Sequence, residues 1–388
     1  MIHKKKEIGI GLVGYGFIGR VHLLGYMNLP FYYDPVPARA SVKAVCAASE
    51  ESCFLAMAQS GVRDYTTDYR ELVKREDIDA IDCCTPNYLH FPVVLDALKS
   101  GKHVYCEKPL AMNVEEAHEL VRLARKSGLR NQVAFHYRFV PATMRAKGLI
   151  EEGALGQILH FRAQYLHSGY IDPNRPLSWR LSKEKGGGGA LFDLGSHVVD
   201  LMRFLLGDYQ DVMARLHTFI TERPDPKRPG AKGKVDVDDL AILQVKMANG
   251  SFGVIEASRI ATGANDDLRF EIHGTKGALM FNLMEPNWLW FYDATQPQEP
   301  LGGRSGFIRI ETIQRYPKPA GFPGPKFSIG WTRYHLASQF DFLRSLSEEG
   351  YKPLGATFED GLRVQEVLEA AEESSRTGGW VNVRQGVE

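Results

Sequence analysis

The sequence predicts an α/β fold in two parts: an N-terminal doubly wound domain, then an α+β domain with a large, mostly antiparallel open sheet. Three observations carry this. The glycine-spaced turn "GYGFIG" at 14–19 closes the apolar run "EIGIGLV". Short apolar runs then alternate with helix-capable stretches as far as residue 138. From about 154 the apolar runs lengthen and alternate in polarity, as strands with one buried face do.

In the first part the strand candidates are "IGIGLV", "SVKAVCA", "AIDCCT", "HVYCE" and "NQVAFHY". Helix candidates around 17–28, 50–60, 68–75, 89–99 and 113–127 separate them. Strand–helix alternation implies parallel strands joined by crossovers, with the ligand at their C-terminal edge. The second part offers "GQILHFRAQYLH", "VMARLHTFITE", "DDLAILQVKMANGSFGVIEASRI", "LRFEIHGTKGALMFN" and "NWLWFYD" as sheet segments. Asn249-Gly250 marks a hairpin. "ALFDLGSHVVDLMRFLLG" has helical apolar spacing, while "ERPDPKRPGAKGK" and "PKPAGFPGPKF" read as loops. "TFEDGLRVQEVLEAAEESSR" reads as a surface helix using Leu362, Val364, Val367 and Leu368 for its apolar face. The expected domains are 1–138 and 139–388, the last helix packing back toward the first.

Lys plus Arg and Asp plus Glu number 47 each, which removes the global charge bias that favours nucleic acid or an anionic membrane. The apolar run near the N-terminus is too short and glycine-rich for a membrane helix and lacks a signal-peptide cleavage site, so a cytoplasmic protein is expected. Five cysteines without a CxxC pair read as buried free thiols.

Gly14, Gly16 and Gly19, with Phe17 and Ile18 between them, have dinucleotide-fingerprint spacing. The first glycine allows a tight turn, the second a close approach to a pyrophosphate, and the third close helix–strand packing. The domain is therefore expected to be a Rossmann fold binding NAD(P). The second strand ends without the acidic residue that holds a ribose 2′-hydroxyl, and Asp34 precedes that strand. Ser49 and Glu50 follow it, Ser49 serving equally as ribose contact or helix cap. With no arginine patch for a 2′-phosphate, a slight preference for NAD results. Thr85, Pro86 and Asn87 leave another strand and are assigned to the cofactor wall, with His90 as helix cap or cofactor contact.

Two motifs carry chemistry. Lys108 follows a strand in "YCEKPL", where an ammonium can stabilise developing alkoxide charge, and Glu107 can orient it or the cofactor. A cis bond before Pro109 is an option for this turn. Asp193 and His197, four apart in "FDLGSH", share one helix side. They suit proton transfer during alcohol oxidation, with Asp200 supporting the helix. No third ligand accompanies the pair, so no metal is expected there.

Together "GYGFIG", "TPNYLH", "CEKPLA", "GGGGALFDLGSH" and "EIHGTKG" resemble the Gfo/Idh/MocA oxidoreductases, the glucose–fructose oxidoreductase and inositol dehydrogenase family. The resemblance spans nearly the whole chain. It implies Lys108 and the Asp193/His197 pair acting on a carbohydrate hydroxyl, with His197 moving the proton. "FHYRFVPA", "YLHSGYIDPNRPLSWR" and "GKVDVDDLA" resemble members acting on sugars and anhydrosugars. That resemblance places Tyr137, Arg138, Tyr165 and His167 at the substrate, and Trp179 and Arg180 over cofactor and substrate. The expected function is hydride transfer at a secondary alcohol or ketone of a cyclic sugar, anhydrosugar or polyol. The alternatives are an NAD-dependent glycosidase working by transient oxidation, and a silent nicotinamide/sugar sensor. The expected partners are that small molecule and further copies of the chain, in a homodimer or homotetramer built on the second sheet. Neither nucleic acid nor membrane is expected.

Overall fold

The computed structural model describes residues 6–383 and divides the chain into two compact units. One takes the chain through Phe139 together with Arg315–Leu362; the other takes Val140–Gln314 and the chain from Arg363.

The first unit holds a six-stranded parallel sheet: β1 (Glu7–Val13), β2 (Arg39–Cys46), β3 (Asp64–Thr66), β4 (Ala80–Cys83), β5 (His103–Cys106) and β6 (Asn131–Val133). Its order, β3-β2-β1-β4-β5-β6, is that of a Rossmann fold, reversing direction at β1. The crossovers are α1 (Phe17–Tyr32), α2 (Glu50–Ser60), α3 (Tyr69–Lys74), α4 (His90–Lys99) and α5 (Val114–Ser127). Ile8, Ile10 and Leu12 are at most 1% exposed, as a strand covered on both faces requires.

The second unit begins with α6 (Pro141–Glu151) and β7 (Ile158–Leu166). The short α7 (Lys183–Gly186) and a π-helical turn, Leu191–Gly195, precede α8 (Ser196–Leu206). Then follow β8 (Tyr209–His217), β9 (Glu222–Pro224), β10 (Lys232–Lys234), β11 (Leu240–Met247), β12 (Phe252–Ser258), β13 (Asp267–Gly274), β14 (Gly277–Asn282), β15 (Trp288–Asp293) and β16 (Phe307–Glu311). After α9 (Trp331–Ser347) and α10 (Phe358–Thr377) the described chain ends in β17 (Val381–Asn382). Nine of these strands form one sheet, β16-β15-β14-β13-β7-β12-β11-β8-β17, antiparallel except where β12 runs beside β7. In β11, Ala241, Leu243 and Val245 are buried while Ile242 is exposed, so one face is covered and the other open.

Several expectations need correction. The single boundary at 138/139 misses the return of 315–362 to the first unit. There α9 packs on α1: Phe340 stacks on Tyr33 at 3.6 Å, and Phe342 and Leu343 join Ile8, Ile10, Tyr26 and Tyr105 in one core. The proline-rich "ERPDPKRPGAKGK" is not wholly loop, since β9 and β10 pair antiparallel within it. The last long helix is no surface helix either. Besides the four apolar residues named, Gln365, Glu366 and Ser374 on its other sides are at most 3% exposed. The strand expected at 131–137 stops at Val133 and turns through a 3₁₀ segment, His136–Phe139. All five cysteines are free and buried. No described helix is long and apolar enough to cross a membrane.

Candidate active site

At the edge of the first sheet the three glycines have different constraints. Gly14 has φ +101°, and a Cβ there would sit 2.5 Å from the Cys84 carbonyl oxygen. A Cβ on Gly19 would overlap the Gly14 carbonyl oxygen, so that glycine sets the approach of α1 to the strand. At Gly16 a Cβ would meet nothing within 4 Å. Gly16 is also the N-cap of α1, with no side-chain cap and no acidic residue in the first turn. Such an open helix start presents N–H groups and a positive dipole end, which suits a pyrophosphate. Phe17 is exposed and stacks on Trp331 at 5.8 Å, while Ile18 packs inward with Leu12 and Leu23. Ser49 caps α2, its Oγ accepting from the Ser52 amide at 3.3 Å.

The next two loops are tied together by His90. Its Nδ1 lies 2.7 Å from the Pro109 carbonyl and its Nε2 3.0 Å from the Thr85 carbonyl. Burial holds the ring below its ordinary pKa, against the pull of both carbonyls. A neutral ring donates from one nitrogen at a time, to one of these two carbonyls. Pro86 is half-buried and Asn87 buried at the start of a 3₁₀ turn. The Lys108–Pro109 bond is cis. Lys108 itself is half-buried, whereas Glu107 turns inward, its Oε1 3.2 Å from His22 Nε2. Tyr137 is buried with its ring 4.2 Å from that of His136. Arg138 is also buried; its guanidinium reaches the Leu354 carbonyl at 3.5 Å and Asp360 at 3.6 Å.

In the second unit the π turn carries half-buried Asp193 and leads into α8 with buried His197 and Asp200. The wider turn modifies the regular 3.6-residue geometry that the sequence spacing assumed, and such turns recur at functional sites. Asp238 holds its entrance: its two carboxylate oxygens accept from the Gly189 and Leu191 amides, each at 2.8 Å. Tyr165, on β7, sets its ring edge-on to His197 at 5.8 Å and donates to Asp266 at 2.6 Å. His167 Nε2 lies 3.4 Å from both the Tyr165 hydroxyl and Asp266. Tyr165, His167 and His197 are thus brought together, with Asp266 added. Trp179 and Arg180 lie on a 3₁₀ turn, the guanidinium 4.2 Å over the indole.

Sequence reasoning missed His22, Asp238 and Asp266. Asp238 had a signal, lying in the singled-out "GKVDVDDLA", and His22 follows the third glycine by three residues on α1. Asp266 sits in an unremarkable acidic loop that only the strand pairing of β13 with β7 carries to Tyr165.

Residues 8–135 match an oxidoreductase family with an NAD-binding Rossmann fold, and residues 143–280 match the GFO/IDH/MocA C-terminal domain. The levoglucosan dehydrogenase of Pseudarthrobacter phenanthrenivorans is 37% identical over 392 residues, covering 98% of this chain and 99% of that protein. The inositol 2-dehydrogenase of Rhizobium meliloti is 26% identical, covering 94% and 96%. Among solved structures, levoglucosan dehydrogenase in complex with NADH and levoglucosan matches with a TM-score of 0.91 at 37% identity, covering 98% of this chain and 100% of that one. An oxidoreductase domain protein from Kribbella flavida matches with a TM-score of 0.92 at 39% identity, with the same coverage. With both domains matched in order and nearly the whole chain aligned, the chain belongs to the Gfo/Idh/MocA oxidoreductase family.

Proposed function

We propose that this chain is an NAD-dependent dehydrogenase that interconverts a secondary alcohol and a ketone on a cyclic sugar, anhydrosugar or polyol. The observation that carries the reading is the likeness, over 98% of the chain, to an enzyme solved with NADH and levoglucosan.

The cofactor fits the residues present. The uncapped start of α1 and the open space at Gly16 suit a pyrophosphate, and the Thr85–Asn87 and Glu107–Pro109 loops lie at the same sheet edge. Ser49 begins α2, with Glu50 and Glu51 in its first turn. A 2′-phosphate there would meet two carboxylates, which favours NAD over NADP.

Alcohol oxidation removes hydride from carbon and a proton from oxygen. Bound nicotinamide supplies the hydride acceptor. Lys108 holds its ammonium at the reacting oxygen and stabilises the alkoxide. His197 takes the hydroxyl proton, and Asp193 orients the imidazole and the substrate. Tyr165, His167 and Asp266 present alternating donors and acceptors, suited to sugar hydroxyls. Tyr137 and Arg138 are assigned to the substrate, and Trp179 and Arg180 to the cofactor side, by the family resemblance.

The test is anaerobic mixing of purified protein and NAD with a panel of cyclic sugars, anhydrosugars and inositols. Appearance of reduced-nicotinamide absorbance with a ketone two hydrogens lighter is the expected result. Proven cofactor binding without turnover across the panel would leave a binding protein. Aglycone release from an aryl glycoside would make it a glycosidase.

A further inference from the structure

Beneath the Lys108 loop lies a buried charge system that the proposed chemistry does not use. His22, on α1, is fully buried. Its Nδ1 stands 3.0 Å from Asp82 Oδ1, 3.1 Å from Oδ2 and 3.1 Å from Cys84 Sγ, all at the end of β4. Its Nε2 stands 3.2 Å from Glu107 Oε1, just beyond β5. Glu107 Oε2, in turn, accepts from the Lys108 amide at 3.2 Å. Around the His22 ring the other titratable neighbours are neutral, while Lys108 acts on Glu107. The Tyr105 ring lies 5.3 Å away, Tyr26 of the same helix stands by Asp82, and the His335 ring on α9 is 5.7 Å off. Asp82, His22, Glu107 and the Lys108 backbone are therefore linked in sequence, the His22–Glu107 link being an ion-pair approach that is not aligned as a hydrogen bond.

We infer that His22 is a positioning residue for the reaction: as an imidazolium between Asp82 and Glu107 it fixes the Glu107 carboxylate, and through it the backbone that aims Lys108. This rests on the reading that Lys108 acts in hydride transfer.

The charge arrangement favours a cation here. Two carboxylates that are 0% and 7% exposed cannot both ionise beside a neutral ring without a large cost, and one proton on His22 serves both. Burial opposes the imidazolium, but Asp82 and Glu107 outweigh it and raise its pKa to about 10. Burial also works against the Glu107 carboxylate, yet His22 and Lys108 hold it below the usual carboxylate range. His335, pushed well down by burial and by His136 and His22, stays neutral and does not compete for the proton. Ligand-type atoms of His22, Glu107 and His335 lie within 4.8 Å of one another, so a metal ion is the competing occupant. With the ring protonated the group keeps one net negative charge rather than two, and Lys108 acts on the Glu107 carboxylate as well.

The test compares His22→Gln with wild type by three readouts. NADH affinity is expected to stay within about threefold, because the glycine turn is untouched. Single-turnover hydride transfer should fall by about 10–100-fold, in kcat rather than KM, as misplacement of a reacting group by about 1 Å does. The wild-type alkaline limb of activity should disappear from the variant's pH profile. Amide hydrogen exchange supplies a readout that needs no substrate: residues 103–110 should exchange faster in the variant while 7–13 do not. Normal transfer and unchanged exchange in folded His22→Gln would overturn the proposal. If that variant does not fold, Asp82→Asn carries the test, with a lowered alkaline limb and faster 103–110 exchange expected and unchanged values refuting it. Stoichiometric metal that chelators remove together with activity would also overturn it. Unimpaired transfer in Lys108→Met would instead overturn the role of Lys108, leaving the exchange result to judge the positioning by His22.

Discussion

The three glycines of the first turn share a motif but not a constraint, and alanine substitution should separate them. Gly16 has φ −77° and ψ −162°, open to any residue, and its added methyl meets nothing within 4 Å. Gly16→Ala should therefore fold. Alanine is a poorer N-cap than glycine, which sets the stability cost at about 1 kcal/mol or less. The same methyl projects where a pyrophosphate must approach the backbone, so NADH affinity should fall at least ~10-fold, or about 1.4 kcal/mol. Gly19→Ala behaves in the opposite way. Its methyl would overlap the Gly14 carbonyl oxygen and lie 3.0 Å from that carbonyl carbon, both backbone atoms that no side-chain rotation can clear. Relief requires α1 to move off β1, at an overpacking cost of roughly 1–3 kcal/mol or more. Denaturant unfolding followed by far-UV dichroism, and NADH titration by fluorescence, measure the two quantities separately. Wild-type NADH affinity in Gly16→Ala would refute the cofactor placement. Equal stability of Gly19→Ala and wild type would refute the packing argument.

Other outcomes follow from the same geometry. Asp238→Ala leaves the Gly189 and Leu191 amides without acceptors in the interior, so it should cost about 2–5 kcal/mol in unfolding experiments and impair turnover through the π turn. Asp238→Asn should cost less; equal, negligible effects would show that the turn holds itself. His197→Ala should slow single-turnover oxidation by about 10²–10⁴-fold with NADH affinity preserved, and near-normal transfer would sink its proton-transfer role. The raised pKa of His22 means its stabilisation is complete below its ordinary 6.5 and is lost as pH rises through about 10. Glu107, held low, contributes above its ordinary 4.5 and loses that contribution as pH falls. Thermal melts of wild type should therefore decline toward alkaline pH, and His22→Gln should flatten that decline. The open face of the second sheet carries exposed Leu159, Ile242, Phe252 and Val254, so light scattering should find a dimer or tetramer; a monomer at working concentration would refute this.

What could be read from the sequence was local. The glycine turn and the loops at 85–87 and 107–109 each fit within a few residues, where backbone geometry follows from composition. The rest depends on distant chain segments. The α9 sequence "WTRYHLASQFDFLRSLS" shows no clear polar face because it is buried on most sides, with Gln339 donating to the His22 carbonyl at 2.9 Å and Ser338 sharing a hydrogen bond with the Tyr105 hydroxyl at 2.8 Å. Without a polar face it carried no amphipathic signal, and its return to the first unit was not anticipated. The π turn escaped for another reason. Its entrance is fixed by Asp238, 45 residues past Asp193, and helical spacing alone does not register an inserted residue. Proline and glycine in "ERPDPKRPGAKGK" masked a hairpin whose strands are three residues each.

The central claim is that hydride passes between a ring carbon of a cyclic sugar or polyol and nicotinamide. It is tested most directly with substrates deuterated at their ring carbons, incubated with the protein and NAD, and mass analysis of the cofactor recovered. The account expects one deuterium in the reduced cofactor, matched by ketone product, with the label appearing at least ~10²-fold more slowly in Lys108→Met. Cofactor that binds but stays unlabelled across the panel, or labelling at the wild-type rate without Lys108, would contradict it.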